Sequence, residues 1–175
     1  MAIFSEELKK INEELQEIKI PFEGSKGIVG NNCVKSRIAF IGMAPSYYNT
    51  GEPFTGKDKD IFNSLLSFLN LSRDKVFITN CIKVIMKSKD IKENFEYLYT
   101  IFRKYLVKEL EIVQPTTIVL LGSLVGLYFD IPTKAKVFKK MHPAAMHYYE
   151  IPLNDYLKQF QDVKDELNNS LRAYI

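Results

Sequence analysis

Three side chains in this sequence could act on a planar, polar ligand, and each stands beside a turn. Phe54 follows Pro53 in a loop of Gly, Pro and Tyr residues, where a large ring has no evident core to fill. It is either a loop anchor packed on a sheet or a stacking platform. Asn80 comes directly after the run KVFIT, and its amide offers a donor and an acceptor side by side. That pairing reads the edge of an amide-like heterocycle; the plainer alternative is a turn former. His142 follows a basic run of Lys134, Lys136, Lys139 and Lys140 and precedes the small Ala144 and Ala145, which permit close approach. An imidazole there can stabilise charge on a leaving group, unless it is a structural histidine beside the turn fixed by Pro143. Beyond it, Met146, His147, Tyr148 and Tyr149 form an apolar and aromatic tip of the kind that wedges into a duplex. Lys83, Lys87 and Lys89 add positive charge after Asn80, although such a run is as readily a solvated face.

These residues need elements to hold them. The stretch 37–56 (RIAFIGMAPSYYNTGEPFTG) begins as an apolar strand and breaks into turn-forming residues, which reads as a buried strand feeding a loop at its C-terminal end. Before it, Phe4, Leu8, Ile11, Leu15 and Ile18 form one helical stripe opened by Ser5, and 21–32 is a Gly- and Asn-rich connection. After it, 58–70 is a helix with Ile61, Leu65, Phe68 and Leu69 inward, and 75–79 is a strand ending at Asn80. A long helical segment follows with Ile91, Phe95, Leu98, Phe102, Leu106 and Leu110 in phase, and it must end before Pro115. TTIVLL at 116–121 is a continuous apolar strand before Gly122, and 123–129 is a short helix. The strand at 136–141 ends at His142. A closing helix over 153–171 carries Leu157, Phe160, Val163, Leu167 and Leu171 inward.

Strands alternating with helical crossovers predict a three-layer α/β sandwich with a central, mainly four-stranded parallel sheet flanked by helices. Parallel strands bring the segments starting at Gly42, Asn80, Gly122 and His142 to one sheet edge, where open α/β sheets bind ligands. At 175 residues, 46% hydrophobic and 26% charged, the chain reads as a single soluble domain. No apolar run approaches the roughly 18 residues of a membrane span, and the N-terminus lacks a secretory pattern, so the expectation is a cytoplasmic monomer with no membrane association. A net charge of +3 permits a nucleic-acid partner. Cys33 and Cys81 are too few for a four-thiolate site, so no metal is expected.

The ordered set GMAPS at 42–46, GEPFTG at 51–56, ITNCIK at 78–83, VLLGS at 119–123 and MHPAAMH at 141–147 resembles the uracil-DNA glycosylase superfamily. The nearest pattern is that of microbial branches whose first motif is a Gly-x-Ala-Pro loop. The resemblance implies a monofunctional, cofactor-free repair enzyme that flips uracil or another deaminated base out of DNA and hydrolyses its N-glycosidic bond. Its partner would be such DNA, in the cytoplasm or at the nucleoid. By matched position, Phe54 would stack on the base and Asn80 would read its polar edge. His142 would donate to the oxygen that becomes negative. Gly42, Met43, Ala44 and Ser46 would contact the base or the attacking water. Lys83, Ser123, Pro143, Ala144 and His147 would hold phosphates, with Met146 or Tyr148 filling the gap that the base leaves. Met43, Tyr47 and Tyr48 would shape the pocket for its preferred base.

Two departures matter. Branches with a Gly-Glu-Ala-Pro-Gly loop place a carboxylate there to handle water, whereas this chain has Met43 and Ala44, leaving backbone or a neighbour such as Asn49 for that task. The iron–sulfur cysteines of the thermophilic branches are also missing: Val84 stands in their usual place after the Asn-x-x-Lys motif, so no cluster is expected. The alternative to an enzyme is a catalytically inactive DNA-binding protein of the same fold. A nucleotide hydrolase is a third possibility, but no Gly-rich phosphate-binding signature supports it.

Overall fold

The computed structural model describes residues 2–19, 23–49 and 51–172, with side chains as far as residue 170. Its centre is a sheet of four parallel strands: β3 (Ile38–Gly42), β4 (Phe77–Asn80), β5 (Thr117–Leu121) and β6 (Lys136–Lys140), in the order β4-β3-β5-β6. Every residue of β3 and β5 is buried. Helices cover both faces of these inner strands, which is why their sequences are continuous apolar runs rather than alternating ones. A short ribbon precedes the sheet, in which β1 (Ile3–Phe4) pairs antiparallel with β2 (Val34–Lys35). Strands of two residues leave no periodic signal, and the sequence reading does not contain them.

On one face, α1 (Glu6–Leu15) and α4 (Phe95–Val113) pack Leu8, Ile11, Leu15, Leu98, Phe102 and Leu106 against Ala39, Ile41, Ile118 and Leu120. On the other, α2 (Lys59–Phe68), α7 (Leu153–Lys158) and α8 (Gln161–Arg172) pack Phe62, Leu65, Tyr156, Phe160 and Val163 against Phe40, Ile78, Val119 and Leu121. Residues of β3 and β5 thus alternate between two cores, each large side chain contributing about 1.5–3 kcal/mol of burial. The three-layer sandwich expected from the sequence is present, with α3 (Ser88–Glu93), α5 (Ser123–Tyr128) and α6 (Ala145–Tyr148) at its ends.

Several local expectations are corrected. Ser5 does open α1, its Oγ accepting from the Leu8 amide at 3.2 Å, but Phe4 lies outside the helical stripe in β1 and is 61% exposed. In α2 the inward set is Phe62, Leu65 and Leu66, with Leu69 buried just past its end, while Ile61 and Phe68 sit half-buried at the margins. The long helical segment is broken at Asn94 between α3 and α4, where the Asn94 amide donates to the Asp90 carbonyl at 2.9 Å and closes the first helix. The closing helix is two, α7 and α8, with Phe160 buried at their joint; the Leu171 side chain lies outside the described residues. In the connection before β2, Asn32 lies along the outer edge of β4, its backbone and side chain bonding Val76 and Ile78.

Candidate active site

Strands β3 and β4 end in register, with Gly42 directly opposite Asn80. A methyl group placed on Gly42 would lie 2.5 Å from Asn80 Oδ1 and 2.6 Å from Phe54 Cζ. Only glycine lets that amide and that ring meet across the strand end. Asn80 is 2% exposed at the floor of a cavity of about 1240 Å³, whose wall includes Met43, Ala44, Ser46, Phe54, Ser123 and His142. The four strand ends predicted to converge do so here.

Phe54 has a left-handed backbone, with φ of +56°, which a bulky residue adopts only when its surroundings impose it. Arg73 imposes it. Its Nη1 donates to the Pro53 carbonyl at 2.9 Å, its Nη2 donates to the Phe54 carbonyl, and its Nε donates to Asn63 Oδ1 at 2.9 Å. The guanidinium also lies 5.3 Å from the Phe62 ring, on which Phe54 stacks at 4.4 Å with an interplanar angle of 20°. Phe54 is therefore anchored on Phe62 and lines the cavity.

His142 follows β6 and stands 5.7 Å from Phe54, ring centre to ring centre, at 23°. A base sandwiched between the two rings would need about 7 Å, twice a contact distance of about 3.5 Å. The gap is too small to hold a planar ring between them. The Ala144 amide donates to His142 Nδ1 at 3.0 Å, which leaves the ring proton on Nε2. Burial lowers the pKa of this imidazole, opposed by the negative charge of Asp58 and assisted by Lys92. The group presented to the cavity is a neutral N–H donor.

The basic and aromatic rim differs from expectation. Lys83 does not reach the cavity: its side chain is fully buried and its ammonium donates to Glu109 Oε1 at 2.6 Å and to the Thr79 hydroxyl. Asn31 donates to the same carboxylate at 2.8 Å, so the lysine sits in a closed core network rather than at phosphates. The run before His142 is also turned away, Lys136 pairing with Glu166 and Lys140 with Asp162. Lysines at the cavity are instead Lys57, Lys59, Lys87 and Lys92. Of these, Lys87 belongs to the run after Asn80 that the sequence pointed to, whereas Lys57, Lys59 and Lys92 stand outside the runs singled out there. Pro143 is buried and Met146 packs on the core, so neither faces the opening; Tyr148 and Tyr149, 73% and 71% exposed, occupy the tip. Asn49 is engaged within its own loop, donating to the Glu52 carbonyl at 2.7 Å and accepting from the Gly51 amide at 2.6 Å.

A sequence model of the Uracil DNA glycosylase superfamily matches residues 29–172, a span containing the entire site. This chain belongs to the uracil DNA glycosylase superfamily. Among its relatives within that superfamily is a Type-4 uracil-DNA glycosylase of Sulfurisphaera tokodaii, 30% identical, the match covering 81% of this chain and 76% of the relative. Another, from Archaeoglobus fulgidus, is 28% identical over 77% of this chain and 78% of its own. A third, from Saccharolobus solfataricus, is 28% identical over 97% and 87%.

The iron–sulfur cluster of the superfamily's thermophilic branches does not fit the residues present here. Val84 is fully buried and bridged to Ile28, and two cysteines cannot supply four thiolates. Burial pushes the Cys81 thiol up to about 12 and raises Cys33 as well, which favours protonated thiols over ligands.

Proposed function

We propose that this protein excises uracil, or another deaminated base, from DNA by hydrolysing the N-glycosidic bond to leave an abasic site. The convergence of Phe54, Asn80 and His142 around Gly42 carries the reading. A flipped base lies with one face on Phe54 and its polar edge against the Asn80 amide, which pairs with uracil's carbonyl and N3–H but opposes cytosine's amino group and bare N3. His142 Nε2–H donates to the carbonyl oxygen that gains charge as the C1′–N1 bond breaks, so the bonding electrons leave with the base as a stabilised anion. Water then adds to C1′ and gives up a proton. Superfamily membership and relatives that are uracil-DNA glycosylases support this substrate.

In this reading the DNA backbone runs over Ser123, Lys57, Lys87 and Lys92, with Ala144 and His147 beside it, and Tyr148 or Tyr149 fills the vacated stack. Met43, Tyr47 and Tyr48 shape the entry for the preferred base. The protein acts as a cofactor-free monomer. None of the described helices is long and apolar enough to cross a membrane, in keeping with an enzyme that meets DNA in the cytoplasm or nucleoid.

The test is strand scission after alkali treatment of a labelled uracil-containing oligonucleotide. Wild type cleaves at uracil, and Asn80→Ala and His142→Ala each lose at least about 100-fold in rate, the scale of one electrostatic stabiliser. Absence of cleavage together with tight, salt-dependent DNA binding selects the inactive DNA-binding reading, which the acid-free Gly42–Ser46 loop favours.

A further inference from the structure

Four tyrosines line the cavity that holds Asn80, more than one flipped base can use. Tyr47 and Tyr48 stand in the loop after β3, while Tyr148 and Tyr149 close α6 after β6, and β5 lies between those two strands. The two segments therefore leave the sheet about 10 Å apart, two strand spacings of about 4.8 Å. At about 1240 Å³ the cavity is also larger than the roughly 300–1,000 Å³ that a drug-sized ligand occupies.

Rings and cations are paired at this surface. Lys57 Nζ lies 4.8 Å from the centre of the Tyr48 ring and Lys92 Nζ 5.8 Å from that of Tyr148, both within the range of cation–π attraction. Tyr47 backs the first pair, meeting Tyr48 edge-on at 5.7 Å with Lys26 Nζ over its own ring at 3.5 Å. Lys136 and Lys140 are committed to Glu166 and Asp162, but none of the ion pairs among the described residues involves Lys26, Lys57 or Lys92. Positive charge thus stands beside aromatic faces rather than against carboxylates.

A ring beside an ammonium is the chemistry that holds unpaired nucleic acid: the base stacks on the ring and the cation meets a neighbouring phosphate. In a duplex the bases next to the flipped one stay paired and stacked, so only the vacated gap offers a face, and one ring fills it. Two ring-and-lysine pairs on separate segments exceed that need. In a single strand every base has a face to offer, and both pairs find partners.

We propose that Tyr48 with Lys57, and Tyr148 with Lys92, form two subsites for nucleotides next to the flipped one and make single-stranded DNA the preferred substrate. The inference rests on the excision reading above and deepens it by naming the strand state of the DNA.

The subsites are tested without turnover by competition binding of a uracil-free oligonucleotide, single-stranded or annealed to its complement, at one fixed salt concentration. Wild type binds the single strand at least about tenfold more tightly than the duplex; Tyr48→Ala and Tyr148→Ala each weaken single-strand binding about fivefold or more and narrow the preference, with melting unchanged. Tyr97→Ala, which removes an exposed tyrosine of α4 that does not line the cavity, matches wild type. Wild type binding the duplex as tightly as the single strand overturns the proposal, as does a preference kept in full by both cavity variants. Uracil placed in the same two substrates then separates this proposal from excision itself. A protein that prefers single strands yet excises nothing refutes excision and keeps the subsites. One that excises uracil from both substrates without a binding preference does the reverse.

Discussion

His142 shows how much of the chemistry a single imidazole can hold when its second nitrogen is fixed. The Ala144 amide occupies Nδ1 and burial disfavours the charged ring, so the neutral donor is favoured at neutral pH. Its pKa lies below the ordinary 6.5 in the folded protein, with Asp58 raising it and Lys92 lowering it against the dominant desolvation. Because the folded value is the lower one, the stability linked to this group is complete above pH 6.5 and is lost as pH falls from there through the folded value. The expected outcome is a His142 ring more than half neutral at pH 6.5, read as its ring-nitrogen shifts in NMR, and an excision rate at that pH still above half of its high-pH value. A half-protonated ring at or above 6.5 contradicts the neutral-donor assignment.

The elements around the site explain why some of it was legible and some was not. Asn80 and His142 could be placed because strands end in recognisable ways, a β-rich or basic run giving way to Asn or to His-Pro. Lys83 could not, because its partner Glu109 is 26 residues away on α4, and nothing local distinguishes a lysine bound for the core from one bound for a phosphate. Asp58, which lines the cavity, was hidden for the opposite reason: an acid before a helix is what capping alone would produce, and only the structure shows that its side chain makes no capping bond. The break at Asn94 leaves no mark in the sequence because the apolar period runs through it. Arg73, in the short turn before β4, likewise carries no motif of its own, yet it fixes the backbone on which Phe54 depends. Arg73→Ala should reduce excision by about 10- to 100-fold, while in a Phe54→Ala background the same change should cost stability but little further activity, as a double-mutant cycle would measure. Arg73→Lys keeps the charge but cannot fork across two carbonyls, and should recover little.

At the scale of the whole molecule, the same residue type has two unrelated uses, and salt separates them. The net charge of +3 is modest, so DNA affinity depends on where the lysines stand rather than on their number. Lys92→Ala, at the rim, should lower the slope of log affinity against log salt by about one unit with little effect on melting. Lys83→Ala should leave the slope unchanged and destabilise the fold by about 3–5 kcal/mol, since Glu109 would remain buried without its cation. Equal effects of the two on the salt slope would mean that Lys83 reaches DNA after all. The architecture was the most legible part of the molecule, because strands covered on both faces must be apolar throughout and their helical connections leave few topologies open.

The position of Asn80 in the sheet has one more consequence. Its strand, β4, is outermost, and an outermost strand offers its free amides and carbonyls to any passing extended chain. Asn32 answers that offer from within, accepting from the Ile78 amide at 2.9 Å and donating to the Val76 carbonyl at 2.8 Å. A single residue, through its side chain and its backbone amide, thus acts as a surrogate strand, keeping a protein that must grip one polymer from zipping onto another of its own kind.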